Sequence, residues 1–405
     1  MVVALVPIAL ALTSWDPAGA YNQAQAWFRL YGIAAIVAEL AVIVYSVVSG
    51  ADPLRPVIHL PLWAKAALAG LIGVAGFTSF FVAPDPLRAT SWTFFSVVHV
   101  VFGLAVASLV RNFDSTTRLA SWRAILAGVS GYLLLVVVFV AIAIAKHSLK
   151  WEYFGLGVTN IRQVGFYSAI GAGASLGLAA VETGPRRHVF YVVMAALMLS
   201  LSFWSGTRGS LFAVFVAFSM GAVLLRELRS IRSWLALAGG MAGGAALSLI
   251  GPLPNALFGI VRLKAASGGD AADVSSGRFD MWIATWHAIL ERPLTGYGAG
   301  QYFVVVQDNL GSFNHPHNIL LQVLFQWGFV GAACYCALAV FLTWRAFTAL
   351  RNPQPADAPA LLVGISLLTM SLYEGALFHS YPTMMIAFAL TFIIAPRRET
   401  ASVVP

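Results

Sequence analysis

Residues 121–145 read SWRAILAGVSGYLLLVVVFVAIAIA, and this stretch decides the fold class. It contains no charged residue after Arg123 and is long enough to cross a bilayer as a helix, which takes roughly 20 mainly apolar residues. A segment surrounded by lipid must satisfy its own backbone hydrogen bonds, and this one lacks the alternation of a barrel strand. We therefore predict an all-α integral membrane protein.

The same pattern recurs along the whole chain. Of its 405 residues, 60% are hydrophobic and 10% are charged, whereas a soluble domain carries about 25% charged residues. We predict a single polytopic membrane domain, residues 1–405, with about twelve transmembrane helices. The first predicted span is interpreted as a retained helix, because no basic region of the kind found in a signal peptide precedes it. The predicted spans are 2–14, 28–49, 60–82, 89–110, 121–145, 164–181, 188–204, 209–225, 232–251, 319–342, 358–378 and 381–395.

Arginines concentrate in the short loops on one side of this predicted bundle. The positive-inside rule makes that side cytoplasmic and places both termini there. The opposite, periplasmic face then carries one long connection, residues 252–318, between the ninth and tenth spans. The net charge of +8 is explained by this orientation, so nucleic-acid binding is not predicted. The arginines concerned are Arg55, Arg111, Arg118, Arg123, Arg186, Arg187, Arg226, Arg229, Arg232, Arg345, Arg351, Arg397 and Arg398.

The long connection contains an amphipathic helix. From Arg278 the chain reads RFDMWIATWHAILERP, with apolar residues at helical spacing. Such a helix lies on the membrane or packs on the bundle, with its tryptophans at the interface. Ser275 or Ser276 is the predicted N-cap, and Pro293 ends the helix. The glycine-rich segment that follows, residues 295–302, is interpreted as a tight turn. The apolar stripe is Phe279, Trp282, Ile283, Trp286, Ile289 and Leu290.

Three arginines on the periplasmic face have two interpretations each. Arg208 lies between two apolar spans, Arg278 begins the amphipathic helix, and Arg162 precedes the sixth span. Each arginine either reaches to lipid phosphates or binds an anionic ligand. Because no metal-ligand cluster and no nucleotide-binding glycine motif is present in the sequence, we predict neither a metal nor a cofactor.

The histidines of this face also allow two interpretations. His317 is either a partly exposed residue before a helix that Asn318 caps, or a general base that the helix N-terminus keeps neutral. His315 is interpreted as a loop residue, and His379 has no assigned role.

Three motifs in chain order resemble the O-antigen ligase superfamily. They are SGTRGSLF at 205–212, the run from Arg278 to PLTGYG, and the run from His317-Asn-Ile-Leu to Gly328-Phe-Val-Gly, together covering about 200–335. The superfamily includes lipopolysaccharide O-antigen ligases, O-antigen polymerases and protein O-oligosaccharyltransferases. Its members transfer a glycan from a polyprenyl pyrophosphate carrier to an acceptor at the periplasmic face of the inner membrane of Gram-negative bacteria.

This resemblance implies roles for the candidate residues. Arg208, Arg278 and His317 match the functional positions of the family, and Arg162 and Asn318 are expected to bind substrate. The implied donor is an undecaprenyl pyrophosphate-linked glycan, the acceptor is lipid A–core, and membrane lipids surround the protein. Transfer is expected to be inverting and metal-independent, with arginines on the pyrophosphate and the histidine as base.

Within the superfamily, the sequence favours a ligase over a polymerase or a protein O-oligosaccharyltransferase. The predicted outer face is basic, as an anionic lipid A–core acceptor requires. Only one outer connection is long, whereas polymerases more often have two. The sequence ends soon after Arg398, so the carboxy-terminal extension that is usual in the protein-glycosylating relatives is not expected. A polyprenyl-glycan flippase is the alternative from another class, but transport requires no base at His317. The basic residues of the outer face are Lys146, Lys150, Arg262 and Lys264.

Overall fold

The computed structural model describes residues 1–15, 32–147, 156–158, 160–251, 278–306 and 314–395. Within these ranges the chain is helical and contains no strand, which confirms the all-α class. Short helical turns are Arg55–Ile58, Thr78–Val82, Ile161–Gln163, Arg226–Arg229, Tyr302–Val305 and Ala376–Phe378. The long helices are α1 (Val2–Thr13), α2 (Ile33–Val48), α3 (Leu62–Phe77), α4 (Pro86–Val110), α5 (Ser115–Ala145), α6 (Val164–Val181), α7 (Pro185–Ser205), α8 (Arg208–Leu224), α9 (Ile231–Leu247), α10 (Arg278–Glu291), α11 (Ile319–Ala349), α12 (Asp357–Ser371) and α13 (Ser380–Ile394).

Each predicted span coincides with one of these helices, but their lengths differ. Six helical segments in the described residues are long and apolar enough to cross a membrane, and they contain α3, α4, α5, α6, α7 and α11. Helices α1, α2, α8, α12 and α13 are apolar but shorter. The chain is therefore a polytopic membrane protein by length and composition, and the number twelve stays a prediction. The span predicted for 358–378 is too long, since α12 ends at Ser371.

Polar caps determine where several helices begin. The Asp85 carboxylate accepts the backbone N–H of Arg88 at the start of α4, where Pro86 occupies the first helical position. Asp114 caps α5, and Ser230 caps α9 in the same way. These caps satisfy N–H groups that an isolated helix leaves without partners.

The main core is built around α6, most of whose residues are buried. Its glycines allow α7 and α12 to approach closely: a Cβ at Gly171 would collide with Met198, and one at Gly177 would collide with Pro359. Small residues at such contacts are the usual means of packing helices in membranes, where van der Waals contact replaces the hydrophobic effect. This core also includes α1, α5, α8 and α13.

A second, smaller core joins α10 to α11. It consists of Met281, Ala288, Ile289, Tyr297, Tyr302 and Phe325. Helix α11 is kinked at Gly328, which has φ 59° and ψ −167°. The kink lets the turn after α10 bind to the exposed backbone of α11: Tyr297 N donates to Phe325 O at 2.9 Å and Gly298 N donates to Gln326 O at 2.8 Å. The predicted tight turn is therefore also the contact that joins these two helices.

One of the arginines assigned to the cytoplasmic loops belongs to the protein interior instead. Arg118 lies in α5 and is buried, and its guanidinium donates to Phe392 O at 3.0 Å and to Val110 O at 3.1 Å. It thereby satisfies carbonyls near the ends of α13 and α4. Its role in the folded protein is structural, because its guanidinium joins α5 to the ends of α4 and α13.

Candidate functional site

Three arginines come together at one end of the bundle. Arg162 lies in the turn before α6, Arg208 is the first residue of α8, and Arg278 is the first residue of α10. The charges of Arg208 and Arg278 both act on Arg162. The Thr207 hydroxyl donates to Arg162 O at 3.0 Å, which ties the turn to the start of α8. The three side chains are half-buried, so their guanidinium groups form a positive, partly open surface.

Glu374 provides the negative charge of this cluster. Its Oε1 lies 3.0 Å from Nη2 of Arg278, and both side chains are about one-fifth exposed, at 17% and 20%. The adjacent Tyr373 hydroxyl donates to Gly209 O at 2.7 Å. The segment after α12 therefore connects the first turn of α8 to the first residue of α10.

Hydrogen bonds fix the backbone at His317 and at the two residues beside it. It has a left-handed backbone with φ 55°, which is uncommon for a residue other than glycine. Its N–H donates to Nδ1 of His315 at 3.1 Å, and the carbonyl of Pro316 accepts the indole N–H of Trp282 at 2.9 Å. Asn318 caps α11 by accepting two backbone N–H groups, at 2.9 and 3.1 Å. The predicted cap is confirmed, and substrate binding by Asn318 stays a prediction.

Two further histidines surround His317. The ring centroids of His315 and His317 are 4.1 Å apart, and those of His315 and His379 are 5.6 Å apart. Nε2 of His379 lies 3.3 Å from the amide nitrogen of Gln163, next to Arg162. His315 lies in a loop as predicted, but it is only 5% exposed and packs against Gly375 and Phe378.

All three imidazoles are neutral at pH 7. Burial, followed by the charge of Arg278, lowers the pKa of His317 to about 3. Burial lowers the pKa of His379 to about 4, and it brings that of His315 well below its usual value. The sequence attributed the neutrality of His317 to the helix N-terminus, whereas burial and nearby arginines are the larger causes. His315 Nδ1 accepts a hydrogen bond, so its proton resides on Nε2.

The structure thus assembles a site from residues far apart in the chain. Arg162, Arg208, Arg278 and His317 were candidates from the sequence. The charges of Arg162 and Arg278 act on His317, and the charge of Arg208 acts on Arg162. Glu374, Tyr373, His379 and Gln163 were not assigned to the site. Their signal was faint: Glu374 and His379 fell at or beside the end of an apolar stretch that was assigned to the eleventh span.

The charged groups of this site do not resemble a metal centre. Within the described ranges, no three His, Cys, Asp or Glu side chains converge in a way that would hold a metal ion. The arrangement instead offers guanidinium forks, which match phosphate oxygens, beside a neutral imidazole that accepts a proton. Its chemistry is suited to an anionic leaving group and a hydroxyl nucleophile.

Part of the chain that contains these residues matches a known protein family. Residues 193–336 match the family described as O-antigen ligase, and the matched stretch contains Arg208, Arg278 and His317. No curated protein matches this chain significantly. The matched stretch coincides with the region in which the sequence motifs resembled the same family. Over residues 193–336, this chain is therefore similar to the O-antigen ligase family.

Proposed function

We propose that this protein is an O-antigen ligase, which transfers a glycan from undecaprenyl pyrophosphate to lipid A–core at the periplasmic face of the inner membrane. The observation that carries the proposal is the cluster of Arg162, Arg208 and Arg278, in which the charges of Arg162 and Arg278 act on the neutral imidazole of His317. A pyrophosphate ester needs strong, planar cationic donors, and an acceptor hydroxyl needs a base. The cluster offers both at one end of apolar helices, where a lipid-linked donor would present its headgroup.

The leaving group explains why arginines suffice without a general acid. A new bond forms between the acceptor oxygen and the anomeric carbon while the bond from that carbon to the phosphate oxygen breaks. The electron pair of the broken bond leaves with the pyrophosphate as a stabilised anion, whereas a glycosidase must protonate a poorer leaving group. Arg208 and Arg278 would each donate two parallel hydrogen bonds to phosphate oxygens as negative charge develops on those oxygens. Attack opposite the leaving group inverts the anomeric centre.

His317 would accept the proton of the acceptor hydroxyl. Burial and the arginine charges hold its pKa at about 3, which by itself makes it a weak base. A bound pyrophosphate brings negative charge to the same arginines, and a nearby anion raises the pKa of an imidazole. Donor binding is therefore expected to strengthen the base. We therefore expect His317 to remove the proton from the acceptor hydroxyl only after the donor has bound.

The reaction of purified protein in detergent tests the proposal. Carrier-linked glycan and lipid A–core are the only substrates, and a ladder of glycosylated lipid A–core is the expected product. Lengthening of the carrier-linked glycan without lipid A–core would identify a polymerase instead. Donor binding with no product of either kind would favour the flippase.

Replacing single histidines tests whether His317 is the base or whether the loss of any histidine lowers the transfer rate. His317→Ala should bind carrier-linked glycan normally but lose about 10²–10⁴ in transfer rate, which is the usual contribution of a general base. His287 is exposed on α10, and His287→Ala is the matched control that should transfer normally. Normal transfer by His317→Ala would exclude this residue as the base.

Arginine variants test the assignment of the pyrophosphate site. Arg208→Lys and Arg278→Lys keep the charge but lose the planar fork, so both donor affinity and turnover should fall. Arg292 lies at the end of α10, and Arg292→Lys is a control outside the cluster. If the lysine variants bind donor as tightly as the unmodified protein, the pyrophosphate lies elsewhere.

A further inference from the structure

A carboxylate stands in the cationic cluster proposed to hold pyrophosphate. Glu374 Oε1 lies 3.0 Å from Nη2 of Arg278. A Cβ at position 209 would approach Glu374 Oε1 to 2.8 Å and Cγ to 3.0 Å, so the side chain also lies against the first turn of the Arg208 helix. Tyr373 fixes the same segment to Gly209 O. The fold therefore holds the carboxylate against Arg278 and against the first turn of the helix that begins with Arg208.

Such a position is unfavourable for binding anions, so it calls for a functional explanation. Every negative charge on a ligand is attracted by Arg162, Arg208 and Arg278 and is repelled by Glu374. The three neighbouring imidazoles are neutral and add nothing at pH 7. Glu374 thus offsets part of the attraction, and the offset grows with the charge of the ligand.

The donor and the product differ in that charge. In the carrier-linked glycan each phosphate has one ester and one anhydride linkage, and each carries one negative charge. After transfer, the outer phosphate of the carrier keeps only its anhydride linkage, and its second ionisation has a pKa of about 6, like that of a phosphate monoester. The product therefore carries more negative charge than the donor at pH 7. Three arginines without a counter-charge would hold the product more tightly than the donor and slow its release.

We propose that Glu374 is a specificity-determining residue that weakens the binding of the pyrophosphate product more than the binding of the glycan donor. The inference rests on the proposed function, because it assigns the arginine cluster to pyrophosphate. Glu374 also contacts Arg278, so its carboxylate positions that guanidinium while it limits the positive charge of the site. It takes no part in bond making or breaking.

Binding measurements on charge variants test this inference. Farnesyl pyrophosphate serves as a monoester probe for the product, and its affinity is compared with that of the carrier-linked glycan. Glu374→Gln keeps an oxygen that can accept from Arg278, so the change isolates the charge. The ratio of probe affinity to donor affinity should rise about tenfold in this variant, as expected for one added charge a few ångströms away at a partly exposed site. Glu374→Asp should keep the original ratio.

Turnover provides a second measurement. Inhibition by farnesyl pyrophosphate should be correspondingly stronger in Glu374→Gln, with a lower kcat in multiple turnovers. Glu182 lies just before α7 and forms an ion pair with Arg187 in the first turn of that helix, with 3.9 Å between the charged atoms. Glu182→Gln is the matched control, and no effect is expected. Glu374→Ala also removes the charge but leaves a shorter side chain. This variant is measured in place of the glutamine variant if the latter does not fold.

The possible outcomes separate the two proposals. If the unmodified protein binds neither pyrophosphate compound, the proposed function fails. If it binds both and transfers glycan, but the affinity ratio is unchanged in Glu374→Gln and Glu374→Ala, only the role of Glu374 is refuted. A raised ratio in Glu374→Gln, or in Glu374→Ala if the glutamine variant does not fold, supports the inference.

Discussion

Replacing Gly328 by alanine tests the contact between the kinked helix and the turn after α10. The residue has φ 59° and ψ −167°, a region that is essentially restricted to glycine and costs other residues about 1–3 kcal/mol. A Cβ here would also collide with the carbonyl of Leu294 and lie 2.6 Å from Thr295 N. Overpacking of this kind costs about 1–3 kcal/mol more. We expect Gly328→Ala to lower the free energy of unfolding by about 2–6 kcal/mol.

Thermal unfolding in detergent and the transfer assay measure this effect. A loss of that size should lower the melting temperature by roughly 4–15 °C. Transfer should fall as well, because the displaced turn connects α10, which carries Arg278, to α11, which follows His317. A methyl group at Gly76 in α3 would meet no atom within 4 Å, so Gly76→Ala is the control and should be neutral or stabilising by up to about 1 kcal/mol. Unchanged melting of Gly328→Ala would refute the kinked geometry.

Four further predictions concern chemistry, positioning and orientation. The kcat/KM for donor should stay flat from about pH 8 to about pH 5, because His317 keeps its neutral form above its pKa of about 3; an acidic limb near pH 6.5 would contradict this. Transfer should be unaffected by a chelator, and its loss with recovery on adding magnesium would oppose the arginine mechanism. Trp282→Phe removes the hydrogen bond that holds the loop before His317 and should lower turnover about tenfold at unchanged donor affinity, whereas Trp286→Phe on the exposed side of α10 should not. A periplasmic thiol reagent should label a cysteine at Gly269 but not one at Ser230, and the reverse pattern would overturn the orientation.

The sequence predicted the helices well because long apolar runs have few alternatives in lipid. It also identified helix α10 from its periodicity, but it did not identify the face of α10 that packs against the protein. Phe279, Ile283 and Trp286 are exposed, whereas Met281 and Thr285 are buried. In a soluble protein the apolar stripe would face the core. Beside a membrane, lipid is as apolar as the protein interior, so hydrophobicity does not distinguish the two directions. The predicted N-cap residues, Ser275 and Ser276, lie outside the described part of the chain.

The site was predicted in part, and the missing members share a cause. Arg208, Arg278 and His317 stood out because charged or titratable groups beside apolar spans are costly. Glu374 was included in the span predicted for 358–378, and His379 directly followed that span, since hydropathy alone did not show that α12 ends at Ser371. The low pKa of His317 was also beyond sequence reasoning, because it depends on burial and on arginines brought together by folding.

The separation of the main hydrophobic core from the smaller core of α10 and α11 has a genetic consequence. Arg162, Arg208 and Glu374 are attached to helices of the main core, while Arg278 belongs to the helix of the smaller core and His317 precedes its partner helix. The separation between the imidazole and the first two arginines therefore depends on how the cores rest against each other. Substitutions between them would change that separation without touching a site residue. Suppressors of a weak site variant should accordingly map to this boundary.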